Sequence, residues 1–411
     1  FPPLLTRMSL VACECSAFGS RSQAEAARVS HSAAVPVERP AGGHDAPPAP
    51  AAAPLLRPFV AADLPEVARL FRHVFQRAGG SPPAALVAHL KDVYLDHPWY
   101  DPETPSLVFA DADGRIEGFI GVLPLRLRFR GAPLRASVAG ALMVRDPARQ
   151  PMAGARLMRA YMSGPQALSL GDTANWTSKT LWERIGGRTL PLASLEWLSI
   201  IRTAGFGVSV LRNKLPGPLA ALLAPASGLA GLVGRRRTGA PLAWSGETVD
   251  DETWLSAFAE VTSGFAVTLD TDPVAGRWFL AEAARKKRHG PLYRRVVRDK
   301  GGRVIGCYLV YARRGAVAQT LQLVALPRQG EAVFASLLGF AAAEGCVGAR
   351  GQSHPGIMDA LFKAGCILRH RGATVADTDD AALMQALEAG SAPFGGFFGE
   401  TWLRLVSDDF A

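Results

Sequence analysis

The sequence is poor in the residues that would build a metal centre or a cross-link. Its 411 residues include five cysteines, Cys13, Cys15, Cys307, Cys346 and Cys366, with no zinc-ligand spacing among them. An odd, scattered set suits a reducing compartment, and no metal is expected. Acidic residues are the scarcer sign: 36 Asp and Glu stand against 45 Lys and Arg, a net charge of +9. That balance favours an anionic partner, whether a nucleotide cofactor, an acidic membrane or nucleic acid. Aromatic residues are missing from the basic run Arg285-Lys286-Lys287-Arg288-His289, which reads as a solvated helix end, so nucleic-acid binding is not expected. Unbroken apolar length is scarce as well. The long uncharged stretch Leu215 to Gly234 carries Pro216, Pro218 and Pro225. Proline removes helix donors, so this stretch reads as an interdomain connector, ahead of a membrane-surface hairpin and, last, a membrane span. The expected location is cytoplasmic, with peripheral membrane contact through residues 212–237 held open.

Residues 1–54 are rich in Ala, Pro, Ser and Gly and show no sustained apolar period. Burial there cannot offset the entropy of ordering, and a disordered tail is expected. The chain as a whole is 48% hydrophobic and 20% charged, which belongs to a globular protein, and two domains are expected after the tail. The first, residues 55–204, opens with a strand at Leu55 to Phe59. A helical stripe follows at Leu64, Val67, Leu70, Phe71 and Val74, and a second helix runs from Ala84 to Tyr94. Leu107 to Ala110 and Ile116 to Leu123 read as strands joined through Asp113-Gly114, followed by a further strand from Leu125 to Arg130.

The first domain is organised around Ser137 to Met162. Val138 to Val144 reads as a buried strand closed by Asp146-Pro147. The loop Arg149-Gln150-Pro151-Met152-Ala153-Gly154-Ala155 leads into a helix that ends at Met162. Small residues let a ligand approach the backbone, and a helix N-terminus offers unpaired N–H groups, so strand, loop and helix together make a pyrophosphate cradle. Further on, Ala167 to Gly171 is a strand, and a helix runs through Leu181 to Ile185, ended by Gly186-Gly187. Asp172, at the strand end, could cap that helix or accept a proton.

Arg149-x-x-x-x-Gly154-Ala155 after a strand resembles the coenzyme A loop of the GNAT acyltransferases, with Met152 where a glycine is usual. Asn175-x-x-Ser178-x-x-Leu181-Trp182-Glu183-Arg184-Ile185-Gly186 is similar to that family's Asn-x-x-Ala-x-x-Leu-Tyr-Glu-Lys-Leu-Gly. The resemblance implies an N-acyltransferase that moves an acetyl or other acyl group from coenzyme A to an amine, a small molecule or glycan precursor. It also implies a mixed, mostly antiparallel sheet flanked by helices. The cofactor residues would be Met143, Val144, Arg149, Gln150, Met152, Ala153, Gly154, Ala155, Asn175 and Ser178. Amides near Met143 and Val144 would stabilise the oxyanion where the strand splays. Asp172 is the candidate base, and the loop holding Trp99 and Tyr100 would cover the acceptor. Trp182 stands where many members have the tyrosine that protonates the leaving thiolate, and indole cannot replace it.

Residues 247–411 echo this order. Asp299-x-x-Gly302-Arg303 repeats Asp111-x-x-Gly114-Arg115, but Pro327 to Ala332 lacks the cofactor spacing and puts Glu331 at a helix start, where it would repel phosphate. The fold class is therefore α/β of the α+β kind, two GNAT-like domains with the second degenerate. Arg350, Gln352, His354 and His370 are candidates for an acceptor cleft between them. Two other readings stand: a FemABX-like aminoacyl transferase or N-acyl amino acid synthase near the membrane, and a non-catalytic coenzyme A or partner-binding module.

Overall fold

Each half of the chain starts its sheet with the same tight turn. Asp111 Oδ1 accepts the N–H groups of Asp113 and Arg115, and Asp299 Oδ1 those of Gly301 and Arg303. Gly114 and Gly302 follow at φ +80° and +83°, a conformation that costs glycine nothing. The computed structural model describes residues 55–214, 246–270, 272–370, 372–404 and 410. The expected tail and the uncharged stretch 215–234 lie outside the described residues.

The first sheet takes β1 (Leu55–Pro58), β2 (Leu107–Ala110), β3 (Ile116–Phe129), β4 (Ala132–Val144) and β5 (Leu168–Ala174) in chain order. All pairs are antiparallel except β4 with β5, which are joined by α3 (Ala153–Met162). Before them come α1 (Leu64–Phe71) and α2 (Ala84–Tyr94). Two strands expected at Ile116 to Leu123 and Leu125 to Arg130 are one continuous β3, running through Pro124. Proline is tolerated because β2 ends opposite Ile120, so no neighbour on that side needs a donor from residue 124. The short β9 (Val267–Leu269) picks up that edge again at Leu127.

The second sheet repeats the arrangement. In it β8 (Glu247–Thr248), β10 (Leu292–Arg298), β11 (Val304–Tyr311) and β12 (Val317–Ala325) pair antiparallel in turn, and β12 pairs in parallel with β13 (Gly348–Gln352).

Between the sheets the chain exchanges strands. After α4 (Trp176–Ile185) and β6 (Arg188–Thr189), β7 (Leu195–Ile200) leaves the first sheet and inserts between β13 and β14 (Ile367–His370) of the second. In return β15 (Ala373–Asp377) inserts between β5 and β6. The strand holding Trp197, which follows the first sheet's elements along the chain, lies in the second sheet. Periodicity shows that β7 is buried on both faces but carries no information about which sheet buries it. Trp197 is fully buried there, edge-on to Phe334 at 5.0 Å, with its Nε1 donating to Gln352 O.

The largest core mixes both halves. Trp402 packs on Phe279 at 4.7 Å and on Trp278 at 5.4 Å, and Phe279 in turn meets Trp99 at 5.1 Å. Phe279 belongs to α7 (Pro273–Ala284), which follows α5 (Thr203–Lys214) and α6 (Asp251–Thr262). Truncating one such ring to alanine costs about 3–5 kcal/mol, so the last described segment of the chain is anchored as firmly as a helix. No helix among the described residues is long and apolar enough to cross a membrane.

Candidate functional site

The site is a wedge between β4 and β5. The two strands pair at Ala136/Leu168, Ser137/Ser169 and Val138/Leu170, then part, β4 following β3 and β5 following β15. The Tyr161 hydroxyl, sent in by α3, pins the apex: it donates to Ser137 O at 2.8 Å and accepts from Leu170 N at 3.3 Å. Burial raises this phenol to about 12, in keeping with a fixed strut rather than a proton donor.

Beyond the apex β4 carries a bulge. Its register against β3 slips between the Gly121/Gly140 and Phe119/Met143 pairs, and Ala141 sits at φ +48°. A left-handed alanine costs about 1–2 kcal/mol, and bulges of this kind re-aim a strand beside functional sites. Arg145 N donates to Glu117 O of β3. By strand alternation Met143 also faces β3, and the Val144 N–H faces the open wedge. Of the two amides expected at an oxyanion seat, that of Val144 points into the wedge and that of Met143 toward β3, and the Met143 side chain is 1% exposed in the core.

The loop after β4 is tightened by Asp146, whose Oδ1 accepts from Ala148 N at 3.0 Å and Arg149 N at 3.3 Å. Gln150 N and Ala153 N are also spent inside the turn. The N–H groups of Met152, Gly154 and Ala155 have no protein acceptor among the described residues, and no acidic residue lies in the first turn of α3. Met152 occupies the cap position at φ −96°, so the missing motif glycine is not needed for backbone reasons. Its side chain is 60% exposed, and Arg149 is exposed beside it. A Cβ on Gly154 would meet only Val144 Cγ2, at 3.6 Å, so the approach to these amides is open. Three unpaired donors, a helix N-terminus and an arginine fit the diphosphate of coenzyme A.

The second motif is built differently from what its resemblance implies. Asn175 caps α4, its Oδ1 accepting the Ser178 backbone N–H at 2.9 Å. Asp172 therefore does not cap the helix. Trp182 is 2% exposed and wedged between Tyr161, 5.9 Å away, and Gly187, where a Cβ would stand 2.7 Å from its ring.

Asp172 instead meets a residue that sequence reasoning missed. Its Oδ1 accepts the backbone N–H of Glu400 at 3.0 Å, and the Glu400 side chain accepts from Thr173 Oγ1 and lies against Gly140 of β4. Asp172 Oδ2 and Glu400 Oε2 are both covered and have no hydrogen-bond partner. Burial raises both carboxyls above the ordinary range, and the negative charge of Asp172 raises Glu400 further. Lys286 opposes this and holds the segment in place, donating to Thr401 O at 3.0 Å and Leu403 O at 2.8 Å. The basic run expected to be solvated thus sends one lysine inward. Tyr94 lies over Gly121 with its hydroxyl toward Gly140, and burial together with Glu400 pushes that phenol up. The one signal for Glu400 was the glycine-rich stretch before it, Gly395-Gly396-Phe397-Phe398-Gly399.

Asp172 also lines a cleft of about 300 Å³ between the sheets, shared with Lys286, Arg350 and Gln352. Two of the four expected acceptor-cleft residues are there. His354 is built into the core instead, bonded to Ala392 O and stacked on Phe265, with burial lowering its pKa. His370 lies exposed on β14. Trp99 is 3% exposed in the aromatic core and walls a different, apolar cavity with Leu255 and Phe279, while Tyr100 is exposed on the surface. Neither lines the cleft of Asp172, because the loop that carries them packs toward α7.

The equivalent corner of the second sheet is closed. A Cβ on Gly330, at the start of α8 (Gly330–Ala343), would collide with Gly356 O, and Glu331 in its first turn is paired to Lys363.

No family model matches this sequence, and no curated protein does. Among solved structures, a probable N-acyltransferase from Enterococcus faecalis V583 matches with a TM-score of 0.53 at 11% identity, over 79% of this chain and 72% of that one. GCN5-related N-acetyltransferases from Anabaena variabilis ATCC 29413 and Kribbella flavida match with TM-scores of 0.49 and 0.48. They are 14% and 12% identical, over 79% and 81% of this chain and 72% and 73% of theirs. At such identities the likeness is one of architecture. The chain shares its fold with that probable N-acyltransferase.

Proposed function

We propose that the protein transfers an acyl group from coenzyme A to an amine, with Asp172 and Glu400 acting as a pair that takes up the amine's proton. The observation that carries this is the buried carboxylate pair standing in the β4–β5 wedge, between Gly140 and the polar cleft. Burial raises both carboxyls and the charge of Asp172 raises Glu400 further, so the pair favours taking up a proton.

The donor supplies an activated thioester carbonyl. The chain supplies the rest. Amides of Met152, Gly154 and Ala155 hold the diphosphate, and Val144 N–H meets the oxygen on which negative charge develops. The carboxylate pair orients and deprotonates the acceptor, which bonds to the acyl carbon as the carbon–sulfur bond breaks. The proton taken up by the carboxylate pair then returns to the departing sulfur, the donor role that Trp182 cannot fill.

Calorimetric titration with acetyl-CoA, followed by thiol release in the presence of mixed amines, tests the reading. Binding with amine-dependent release is expected. Binding without release would point to a silent binding module, and absence of binding would remove the reading altogether.

A further inference from the structure

The cleft beside Asp172 holds groups that acyl transfer as such does not require. Arg350 on β13 lines it and is held in place by Gln319, whose Oε1 accepts from its Nε at 2.6 Å. Glu196 stands 3.9 Å from Arg350 but takes its closer ion pair from Arg369, at 2.5 Å. Lys286 and His289 line the same cleft. Thr320, 7% exposed, is also in its wall, and its Oγ1 is covered without a hydrogen-bond partner among the described residues. A buried hydroxyl left unpaired costs about 1–3 kcal/mol, a cost that a bound ligand atom would remove.

We infer that the acceptor is an amine that also carries a carboxylate, an α-amino acid or a short peptide of that chemistry. Its nitrogen lies at the Asp172–Glu400 pair, and its carboxylate lies on the Arg350 guanidinium with Thr320 Oγ1 donating. A planar guanidinium matches a carboxylate with two parallel hydrogen bonds. A polyamine would bring its further charges against Lys286 and Arg350, and a simple amine would leave Thr320 unpaired. In the reaction the amine nitrogen bonds to the acyl carbon, the sulfur leaves with the bonding pair, and the proton from nitrogen passes to the carboxylate pair. The inference rests on the acyl-transfer reading for the fate of the amine, but the binding it requires does not.

The full chain is titrated without acyl donor against matched ligands: phenylalanine against phenethylamine, glycine against methylamine, and spermidine. Thiol release from acetyl-CoA is then measured with the same set. The carboxylate-bearing member of each pair is expected to bind at least about tenfold more tightly, because a site built to pair a polar group rejects the analogue lacking it. Arg350→Gln is expected to bring that ratio toward one, and Thr320→Val, which keeps the shape, to lower it several-fold. Equal binding within pairs, tighter binding of spermidine, or a ratio unchanged in both variants would overturn the inference. Selective amino-acid binding with no thiol release would sustain it while overturning acyl transfer. Thiol release with carboxylate-free amines alone would do the reverse.

Discussion

Glu400 rests its carboxylate on the α-carbon of Gly140, so that a residue near the end of the chain fills the space where β4 and β5 part. Any side chain at position 140 would collide with Oε2, and Glu400 is tethered by Asp172 and Thr173. Gly140→Ala is therefore expected to displace the carboxylate, at about 1–3 kcal/mol of stability for the overpacking. Loss of thiol release with retained acetyl-CoA affinity is the expected outcome; full activity would separate Glu400 from the reaction.

The carboxylate pair makes stability depend on pH in a definite direction. Both groups are raised in the folded state, so folding binds protons that the unfolded chain has already released. The stability they contribute is present at acid pH and is lost as pH climbs from the ordinary carboxylate range through the raised values. Glu400→Gln removes the repulsion. The Tm of the variant relative to the natural chain is expected to rise as pH increases through neutrality, while kcat falls about 10²–10⁴-fold. A Tm difference that stays flat with pH would refute the pairing.

Met152 offers a test that separates stability from binding. Aspartate at this cap position would accept a first-turn N–H of α3 and stabilise the helix by about 0.5–2 kcal/mol. The same carboxylate would compete for the diphosphate seat. Met152→Asp is expected to raise Tm and to weaken acetyl-CoA binding at least about tenfold by placing like charge against phosphate. Unchanged affinity would place the diphosphate elsewhere.

Asn175 runs the other way. Because its Oδ1 is the cap of α4, Asn175→Ala is expected to cost about 1 kcal/mol of stability. Acetyl-CoA affinity is expected to change by less than about twofold, since no polar group is withdrawn from the seat. A large loss of affinity, measured by calorimetry, would restore the cofactor role that the motif implies for this residue.

Much of the architecture was legible because it is local. The Asp-Gly hairpins, the helix at Ala84–Tyr94 and the helix stop at Gly186 are set by turn chemistry and by periods that a few neighbouring residues carry. The strand, turn and helix start from Val138 to Met162 were legible for the same reason, since they follow one another directly along the chain. The resemblance in the second motif predicted cofactor contacts at Asn175 and Ser178. A cap between residues three apart is the more local solution, and the chain adopts it.

By itself, then, the sequence determined most of the elements, the loop that can seat an anion, and the strand beside which it put Asp172, though β5 runs on through Asp172 to Ala174. Only the tertiary structure decided that β7 and β15 change sheets, that Lys286 turns inward, and that Glu400 meets Asp172 across 228 positions of chain. The reason is physical: a strand buried on both faces looks the same in either sheet, and a carboxylate gains its raised pKa and its partner only from the surfaces folded against it.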